Sequence, residues 1–207
     1  MSILILDPEE AREVRHRHVS NGESSDSRFT EMWEGVEVVP PFANDEHQDI
    51  QLALCVPLFE CIHSPGLGKV RAGVNVAERH ENWSENYRGP DVVVYLTTTT
   101  VINYGSHWVG RPDFLVEIIS PGESPRAKFG FYAAVKTREV LIVDRYPWAL
   151  ELFQLVEGQF VSAGRSDLHD PQVLRSKAVP FTLRLTPGNE RPQIEVTHIE
   201  TGKRWLA

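Results

Sequence analysis

The sequence predicts an α/β or α+β fold built on a mixed sheet, and two observations support this. Residues 114–144 have the order strand, helix, strand, which implies a parallel crossover. The strand-like segments before them are joined by loops with no helix, which favours antiparallel neighbours. With 207 residues, 41% of them apolar, the chain is long enough to bury a sizeable core around such a sheet.

Residues 1–28 differ in composition from the rest. PEEAREVRHRHV predicts a short charged helix and SNGESSDS a linker, so we expect a single domain over residues 29–207. The chain starts without the basic region of a signal peptide, and no segment is apolar enough to span a bilayer. Its two cysteines, Cys55 and Cys61, cannot form a disulfide framework. We therefore expect a cytoplasmic protein that does not contact a membrane.

The first half of that domain predicts a strand pair, a helix and further strands. RFTEMWEGVEVVPP alternates and should turn at Glu34-Gly35. NDEHQDIQLALCVPLFECIHS has apolar residues at helical spacing, with Asn44 or Asp45 to cap its start and Pro57 to kink it. KVRAGVNVAE and PDVVVYLT predict strands separated by a polar linker, RHENWSENYRG. TTTTVINYGSHWVGR predicts a loop or hairpin.

The second half continues with the crossover and a run of strands. FLVEII is rich in β-branched and aromatic residues and predicts a buried strand. Ser124 and Pro125 predict the N-cap and first position of a helix that ends near Val135. REVLIVDR predicts the next strand, and ALELFQLVEGQFVSAG predicts a hairpin with its turn at Glu157-Gly158. FTLRL and IEVTHI predict strands in the tail.

Glu117 is the residue that points to chemistry, because it lies inside the apolar run of residues 114–119. A buried, unpaired carboxylate is costly and needs a cation. Pro-Asp opens this strand at Asp113 and the preceding strand at Asp91. If the two strands pair antiparallel, Asp91 lies beside Glu117, and a divalent cation relieves their repulsion. Hard oxygen ligands favour Mg²⁺ or Mn²⁺.

Lys128 is a second possible cation for Glu117. It lies in the first turn of the predicted helix, which begins near the carboxyl end of the Glu117 strand, so its ammonium can reach back to the acids. Each residue also has an ordinary structural interpretation. Asp91 can cap a turn, Lys128 can be a solvated helix residue, and Tyr132 can be a core aromatic with a wet hydroxyl.

Composition narrows the classes of function. A net charge of -8 argues against a protein that coats nucleic acid by neutralising phosphates. It does not exclude an enzyme that meets a phosphodiester through metal ions, because the bound cation then dominates the local field. The sequence has no phosphate loop, no dinucleotide-binding glycine pattern and no paired Cys/His spacing, so nucleotide-driven, redox and structural zinc functions lack support.

PDVVV, PDFLVEIISP and REVLIVDR, with a lysine and a tyrosine before the last motif, resemble the Uma2 (Uma-two) family of endonucleases in the PD-(D/E)XK superfamily. The resemblance covers about residues 29–155 and is looser in the tail. It implies a restriction-endonuclease-like core over those residues, flanked by helices and followed by extra C-terminal strands.

The resemblance also implies a catalytic site. Asp91 matches the first acid of the family and Glu117 the second, and with the Ile118 carbonyl they would hold Mg²⁺ or Mn²⁺. In the superfamily pattern the lysine follows the second acid by two positions, where this chain has Ile119. Lys128, in the following helix, matches the lysine instead. The implied activity is Mg²⁺-dependent hydrolysis of DNA phosphodiester bonds.

Glu31 and His47 lie in pieces that resemble the first strand and first helix of the family, and with Tyr132 they are candidate accessory residues. Many members carry an acid four positions before the lysine, where this chain has Ser124. This departure and the absent lysine at Ile119 favour an alternative, a catalytically inactive nuclease-fold protein that binds a partner.

The last expectation concerns assembly. REVLIVDR and WALELFQLV predict a long apolar strand pair at a sheet margin, with Glu151 the main charge inside it. Proteins cover such edges, and two-fold dimers are the commonest oligomers, so we expect a homodimer. The alternative is that the tail, residues 181–199, covers this surface within one chain.

Overall fold

The computed structural model describes residues 4–6, 30–39, 43–120 and 124–207. The N-terminal helix and linker expected within residues 8–27 lie outside the described residues. The described residues form seventeen strands in three sheets. In chain order the strands are β1 Leu4–Leu6, β2 Glu31–Trp33, β3 Val36–Val39, β4 Gly68–Ala72, β5 Val76–Ala77, β6 Tyr87–Arg88, β7 Val92–Leu96, β8 Val101–Asn103, β9 Trp108–Gly110, β10 Phe114–Ile118, β11 Glu139–Arg145, β12 Trp148–Val156, β13 Gln159–Asp167, β14 Leu174–Arg175, β15 Phe181–Thr186, β16 Gln193–His198 and β17 Arg204–Leu206.

The central sheet is mixed, as the sequence predicts. Its six strands have the order β13-β12-β11-β10-β7-β4. Strands β10 and β11 are parallel, and every other neighbouring pair is antiparallel. Because side chains alternate along a strand, Leu115 and Glu117 of β10 share one face while Val116 and Ile118 share the other. The side of the sheet on which each residue packs follows from this alternation.

Helix α1 spans Asp45–Leu58, and its predicted cap is present. Asn44 is extended, and its side chain accepts a hydrogen bond from the backbone N–H of His47 at 3.0 Å. Pro57 lies inside the helix and lacks the N–H that a helical residue donates. Directly after α1 the chain continues as a π-helix, Phe59–His63.

The crossover after β10 contains a short second helix. It begins as a 3₁₀ helix, Pro125–Lys128, and continues as α2, Phe129–Ala134. The predicted positions of Ser124 as N-cap and Pro125 as the first helical residue are confirmed, but the Ser124 side chain makes no capping hydrogen bond. A 3₁₀ turn uses the backbone instead, and the Ala127 N–H donates to the Ser124 carbonyl at 2.9 Å. Within the part of the chain described, no helix is long and apolar enough to cross a membrane.

The two faces of the central sheet have different covers. Helix α1 and the C-terminal sheet, of order β14-β15-β16-β17, lie on the face that carries Val116. Helix α2 packs on the other face, where Tyr132 and Leu115 belong to the same apolar cluster. Leu150 and Leu152 of β12 are buried in the first cluster together with the tail strands. The tail therefore covers the apolar face that the sequence left open to a partner.

The remaining sheet positions Glu31. Its order is β1-β3-β2-β6-β5-β9-β8. The turn predicted at Glu34-Gly35 is confirmed, with φ values of 51° and 87° that suit the tight turn of a hairpin. The predicted hairpin formed by β8 and β9 is also confirmed. The segment expected to be a polar linker was misjudged, since it contributes β6, which pairs with β2 and β5.

Candidate active site

Strand pairing brings the two predicted acids together. Strands β7 and β10 are antiparallel, and the last pair in their register is Val92 with Val116. The next positions along the two chains are Asp91 and Glu117, so the two residues lie close together at the end of the pairing, and the Asp91 charge contributes to the raised pKa of Glu117. This is the antiparallel arrangement on which the predicted juxtaposition depended.

Asp91 is held by two hydrogen bonds from different elements. The His47 ring Nε2, from the first turn of α1, lies 2.8 Å from Asp91 Oδ1. The backbone N–H of Ile118 donates to Oδ2 at 2.6 Å. The Asp91 side chain is 19% exposed, against 8% for Glu117, so solvent reaches the pair from the Asp91 side. His47 thus contacts the first acid, although 44 residues separate them.

Glu117 points toward α2 because it shares the face of β10 on which α2 packs. Its Oε2 accepts from the Lys128 ammonium at 3.0 Å, and its Oε1 accepts a short hydrogen bond from the Tyr132 hydroxyl. Lys128 and Tyr132 lie four positions apart, about one helical turn, so both can reach the same carboxylate. The structure therefore gives Glu117 the lysine partner that the sequence predicted.

Glu31 is the second partner of Lys128. Its Oε1 lies 2.8 Å from the Lys128 ammonium. The Gly89 N–H donates to the same oxygen at 2.9 Å, and Trp33 Nε1 donates to the other oxygen at 2.8 Å. Strand β2 thereby contributes a carboxylate to the cluster from the neighbouring sheet. Lys128 is enclosed between two acids and is only 13% exposed.

Burial and neighbouring charges shift the pKa values of Glu117 and Glu31 in opposite directions. Burial raises the pKa of Glu117 to about 7; Asp91 and Glu31 add to the rise, while Lys128 opposes it. Burial also raises the pKa of Glu31, but the Lys128 charge and the hydrogen bonds to Glu31 outweigh burial, so its pKa lies below the ordinary value. Glu31 is therefore ionised at neutral pH, whereas Glu117 is close to its midpoint when no metal is bound.

Burial lowers the pKa of Lys128, but Glu117 and Glu31 more than reverse this effect, and the pKa ends well above its ordinary value. The side chain is therefore a permanent cation at neutral pH and cannot act as a general base. Burial and the same two acids raise the pKa of Tyr132, which remains a neutral hydroxyl that donates to Glu117.

Asp113 shows that the repeated Pro-Asp motif has two different uses. It is fully buried, and it accepts from the Leu96 N–H at 2.8 Å, from Thr99 Oγ1 at 2.9 Å and from Arg138 Nη1 at 3.2 Å. These bonds join the ends of two neighbouring strands and the loop that follows β7. Asp113 is therefore a structural residue. Asp91, in contrast, belongs to the acidic cluster, by which we mean Glu31, Asp91 and Glu117 with Lys128.

Sequence reasoning missed two polar neighbours of the site. Arg88 is buried, and its guanidinium lies 4.4 Å from the ring centre of Trp33 on one side and of Phe131 on the other. Its Nη1 donates to the Met32 carbonyl at 2.7 Å. Gln51 donates from Nε2 to the Asp91 carbonyl at 2.7 Å. Arg88 lies three positions before Asp91, in the segment taken for a linker, so no pattern singled it out.

The donor set suits a small divalent cation. Within the described residues, no group of three or more His, Cys, Asp or Glu side chains is arranged to hold a metal. Two neighbouring carboxylates are nevertheless a sufficient protein contribution for Mg²⁺, which keeps several water ligands and binds through one or two carboxylates and substrate phosphates. Burial is the largest cause of the raised pKa of Glu117, and the charges of Asp91 and Glu31 add to it, so a bound cation would favour the ionised form of this carboxyl group. Asp91, Glu117 and the Ile118 carbonyl thus fit Mg²⁺ or Mn²⁺ by donor chemistry.

Comparison with protein-family models identifies a family for this chain. A family model described as "Uma2: Putative restriction endonuclease" matches residues 10–188. That span includes every residue of the acidic cluster. No curated protein matches the chain.

Among solved structures, the fold is similar to one described as "a putative nuclease belonging to DUF820 from Anabaena variabilis". The similarity covers 77% of this chain and 81% of the other chain, with a TM-score of 0.55 and 14% sequence identity. At this identity the comparison bears on the fold alone. It shows that the two chains share a fold, which in this chain is the mixed α/β fold that the sequence predicted.

Proposed function

Since the chain belongs to the Uma2 family, we propose that it is a metal-dependent nuclease that hydrolyses phosphodiester bonds in DNA. The observation that carries the proposal is the pair of neighbouring carboxylates, Asp91 and Glu117, with the buried ammonium of Lys128 bound to Glu117. This combination provides two hard oxygen ligands and one fixed positive charge in an enclosed site. Those are the groups that phosphoryl transfer needs near a scissile phosphate.

Asp91, Glu117 and the Ile118 carbonyl would hold Mg²⁺ or Mn²⁺. When bound, the ion polarises a phosphate oxygen and makes water a stronger nucleophile at neutral pH. The protein positions these ligands, since His47 and the Ile118 N–H fix the Asp91 carboxylate, and Tyr132 fixes that of Glu117. This preorganisation means that the ligands need not reorganise during the reaction.

Lys128 would act as a positive charge facing the reacting phosphate. Its raised pKa keeps it protonated, so it donates hydrogen bonds to a phosphate oxygen on which negative charge builds up. Glu31 is a second carboxylate that holds the ammonium, at 2.8 Å. Glu31, His47 and Tyr132 thus act as accessory residues, because each positions a group that meets the metal or the substrate.

One observation favours the alternative, a catalytically inactive nuclease-fold protein that binds a partner. All four carboxylate oxygens of Asp91 and Glu117 already have a hydrogen-bond partner. The site is therefore self-consistent without a metal. A carboxylate oxygen accepts more than one bond, however, so these contacts leave room for a cation as well.

Titration with Mn²⁺ tests the proposal. An ion that binds only the folded protein, present at 100 times its Kd, stabilises it by about 2.7 kcal/mol and raises Tm by roughly 5–10 °C. We expect this rise, together with Mn²⁺-dependent nicking of plasmid DNA. An unchanged Tm and intact DNA would reject the metal site. A raised Tm with intact DNA would support the inactive alternative.

We also propose a homodimer, but on a different surface from the one the sequence suggested. The tail covers the apolar face and β13 pairs with the outer side of β12, so the contact we propose is the edge of the central sheet at β13, where Val161 is 52% exposed. Sedimentation at micromolar protein should give twice the monomer mass of 23.5 kDa. A single species at monomer mass would exclude the dimer.

Two further expectations remain proposals. A single domain over residues 29–207 is supported by the apolar cluster that α1, the central sheet and the C-terminal sheet share. Cytoplasmic location is consistent with the free thiols of Cys55 and Cys61.

A further inference from the structure

Arg145, the last residue of β11, is a buried cation that the proposed mechanism does not use. Its side chain is only 1% exposed. Its Nε donates to the Ile119 carbonyl at 3.1 Å, and its Nη1 donates to Asn44 Oδ1 at 2.8 Å and to Glu46 Oε2 at 3.0 Å. Its Nη2 has no hydrogen-bond partner among the described residues. A buried arginine with an unpaired donor is costly, so stability alone is a weak explanation for it.

One series of hydrogen bonds connects Arg145 to Oδ1 of Asp91. Asn44 Oδ1, which accepts from Arg145, also accepts from the backbone N–H of His47 at 3.0 Å. That bond fixes the first turn of α1, from which the His47 ring reaches Asp91 Oδ1 at 2.8 Å. The other ring nitrogen of His47, Nδ1, has no partner within the described residues. The position of the ring therefore depends on where α1 begins.

A second series of contacts connects Arg145 to Oδ2 of Asp91 through the end of β10. Arg145 Nε binds the Ile119 carbonyl, directly after β10. The neighbouring residue, Ile118, donates its N–H to Asp91 Oδ2 at 2.6 Å. The two paths together close a ring of hydrogen bonds through the start of α1, the start of β7 and the ends of β10 and β11.

We infer that Arg145 is a positioning residue for the Asp91 carboxylate and acts on it through Asn44 and His47. The inference rests on the proposed function in one respect, that Asp91 holds the metal. Apolar contacts between α1 and the sheet are non-directional and tolerate small shifts. The hydrogen-bonded ring is directional, and it fixes where α1 begins relative to the end of β10. Without Arg145, Asn44 at the start of α1 and the Ile119 carbonyl after β10 lose the donor that they share. The Asp91 carboxylate is then less well oriented.

The competing explanation is that Arg145 serves only as the ion-pair partner of Glu46. The two explanations differ in which acceptor of Arg145, Asn44 or Glu46, is needed to orient Asp91. Glu46 binds Arg145 but leads to no other member of the ring, whereas Asn44 leads to His47. Glu46→Gln removes the ion pair and keeps the ring. Asn44→Ala breaks the ring and keeps the ion pair, while Asn44→Asp preserves both the cap and the acceptor.

The test uses full-length protein and two measurements, the hydrogen exchange rate of the His47 Nε2 proton without metal and the Kd for Mn²⁺. Arg145→Met and Asn44→Ala should each accelerate the exchange and weaken Mn²⁺ binding by about tenfold, the lower range for partners that orient metal ligands. The double variant Arg145→Met/Asn44→Ala should show the same exchange rate and Mn²⁺ affinity as either single variant, because each substitution already breaks the same ring of hydrogen bonds. Glu46→Gln, Asn44→Asp and the surface control Arg165→Met should match the wild type.

If Arg145→Met does not fold, Arg145→Lys provides the same test, since an ammonium cannot bind Asn44 and Ile119 in the fixed geometry of the guanidinium. Wild-type values for both Arg145→Met (or Arg145→Lys) and Asn44→Ala would overturn the inference, as would an equal effect of Glu46→Gln. Failure of the proposed function is distinguishable. If the wild-type protein binds no Mn²⁺ or cuts no DNA, the proposed function fails. The role of Arg145 is then still tested by the hydrogen exchange rate of His47, which is measured on the metal-free protein.

Discussion

Asp91→Asn should lower Mn²⁺-dependent DNA cleavage by more than about 100-fold, since the loss of a direct ligand exceeds the usual 10–100-fold effect of groups that only orient ligands. The substitution removes one of two negative charges in the pair and keeps the size of the side chain. Glu117→Gln should have an effect of the same order, because Glu117 lies close to Asp91 at the end of the strand pairing. The measurement is the rate of plasmid nicking at saturating Mn²⁺, together with the Kd for Mn²⁺.

Asp113→Asn is the matched control for Asp91→Asn. Both residues follow a proline at the start of a strand, but Asp113 is fully buried and binds Leu96, Thr99 and Arg138. Its loss should lower the free energy of unfolding by about 1–3 kcal/mol, the usual cost of leaving buried partners unsatisfied. The Kd for Mn²⁺ and the cleavage rate of the folded protein should not change. Equal metal affinity in wild type and Asp91→Asn would contradict the assignment of Asp91 as a ligand.

Lys128→Met should lower the free energy of unfolding at pH 8 by about 3–5 kcal/mol, the usual effect of removing one partner from a buried ion pair. Lys128 is the counter-charge for both Glu31 and Glu117, which are each less than 10% exposed. Without it, two buried carboxylates repel each other. The measurement is urea unfolding of the metal-free protein, with the exposed Lys69→Met as the control.

The pH dependence of this loss follows from the direction of each pKa shift. In the wild type, the pKa of Glu117 is raised from 4.5 to about 7, so its contribution to stability is complete below pH 4.5 and is lost as the pH rises through 7. The pKa of Glu31 is lowered, so its contribution is present above 4.5 and is lost as the pH falls through its folded-state value. Removal of Lys128 should raise both pKa values, because Lys128 lowers each of them.

Lys128→Met should therefore gain stability from pH 8 to pH 5 more steeply than the wild type does. Titration of the carboxyl groups by NMR should show the apparent pKa values of Glu117 and Glu31 moving upward in the variant. Identical titration curves for the two proteins would mean that the Lys128 ammonium does not act on these acids in solution.

Local sequence patterns determined the elements of the central sheet. The apolar run around Glu117 predicted β10, and the helix signal between it and REVLIVDR predicted the parallel neighbour β11. Antiparallel pairing of β7 with β10 then predicted the juxtaposition of Asp91 and Glu117. These predictions succeeded because the side-chain period of a strand and the position of a helix between two strands are properties of neighbouring residues.

Only the tertiary structure decided which distant side chains complete the cluster. Lys128 lies 97 positions after Glu31, and the two residues meet because the fold brings β2 close to the 3₁₀ helix that precedes α2. His47 reaches Asp91, and Arg145 reaches Asn44, for the same reason. No periodicity within the chain encodes such distances, since they depend on which faces pack and in what register.

The errors have the same cause. The segment around Arg88 is polar, and it forms β6 only because β2 and β5 provide hydrogen-bonding partners on both sides. Ser124 has the residue type of a cap, but the 3₁₀ start satisfies the backbone without it. The sequence by itself determined the strands of the central sheet, the crossover and the acidic pair, because local periodicity and propensity specify them. The tertiary structure decided how the acids are neutralised and what covers the apolar face, because burial and long-range pairing depend on elements far apart in the chain.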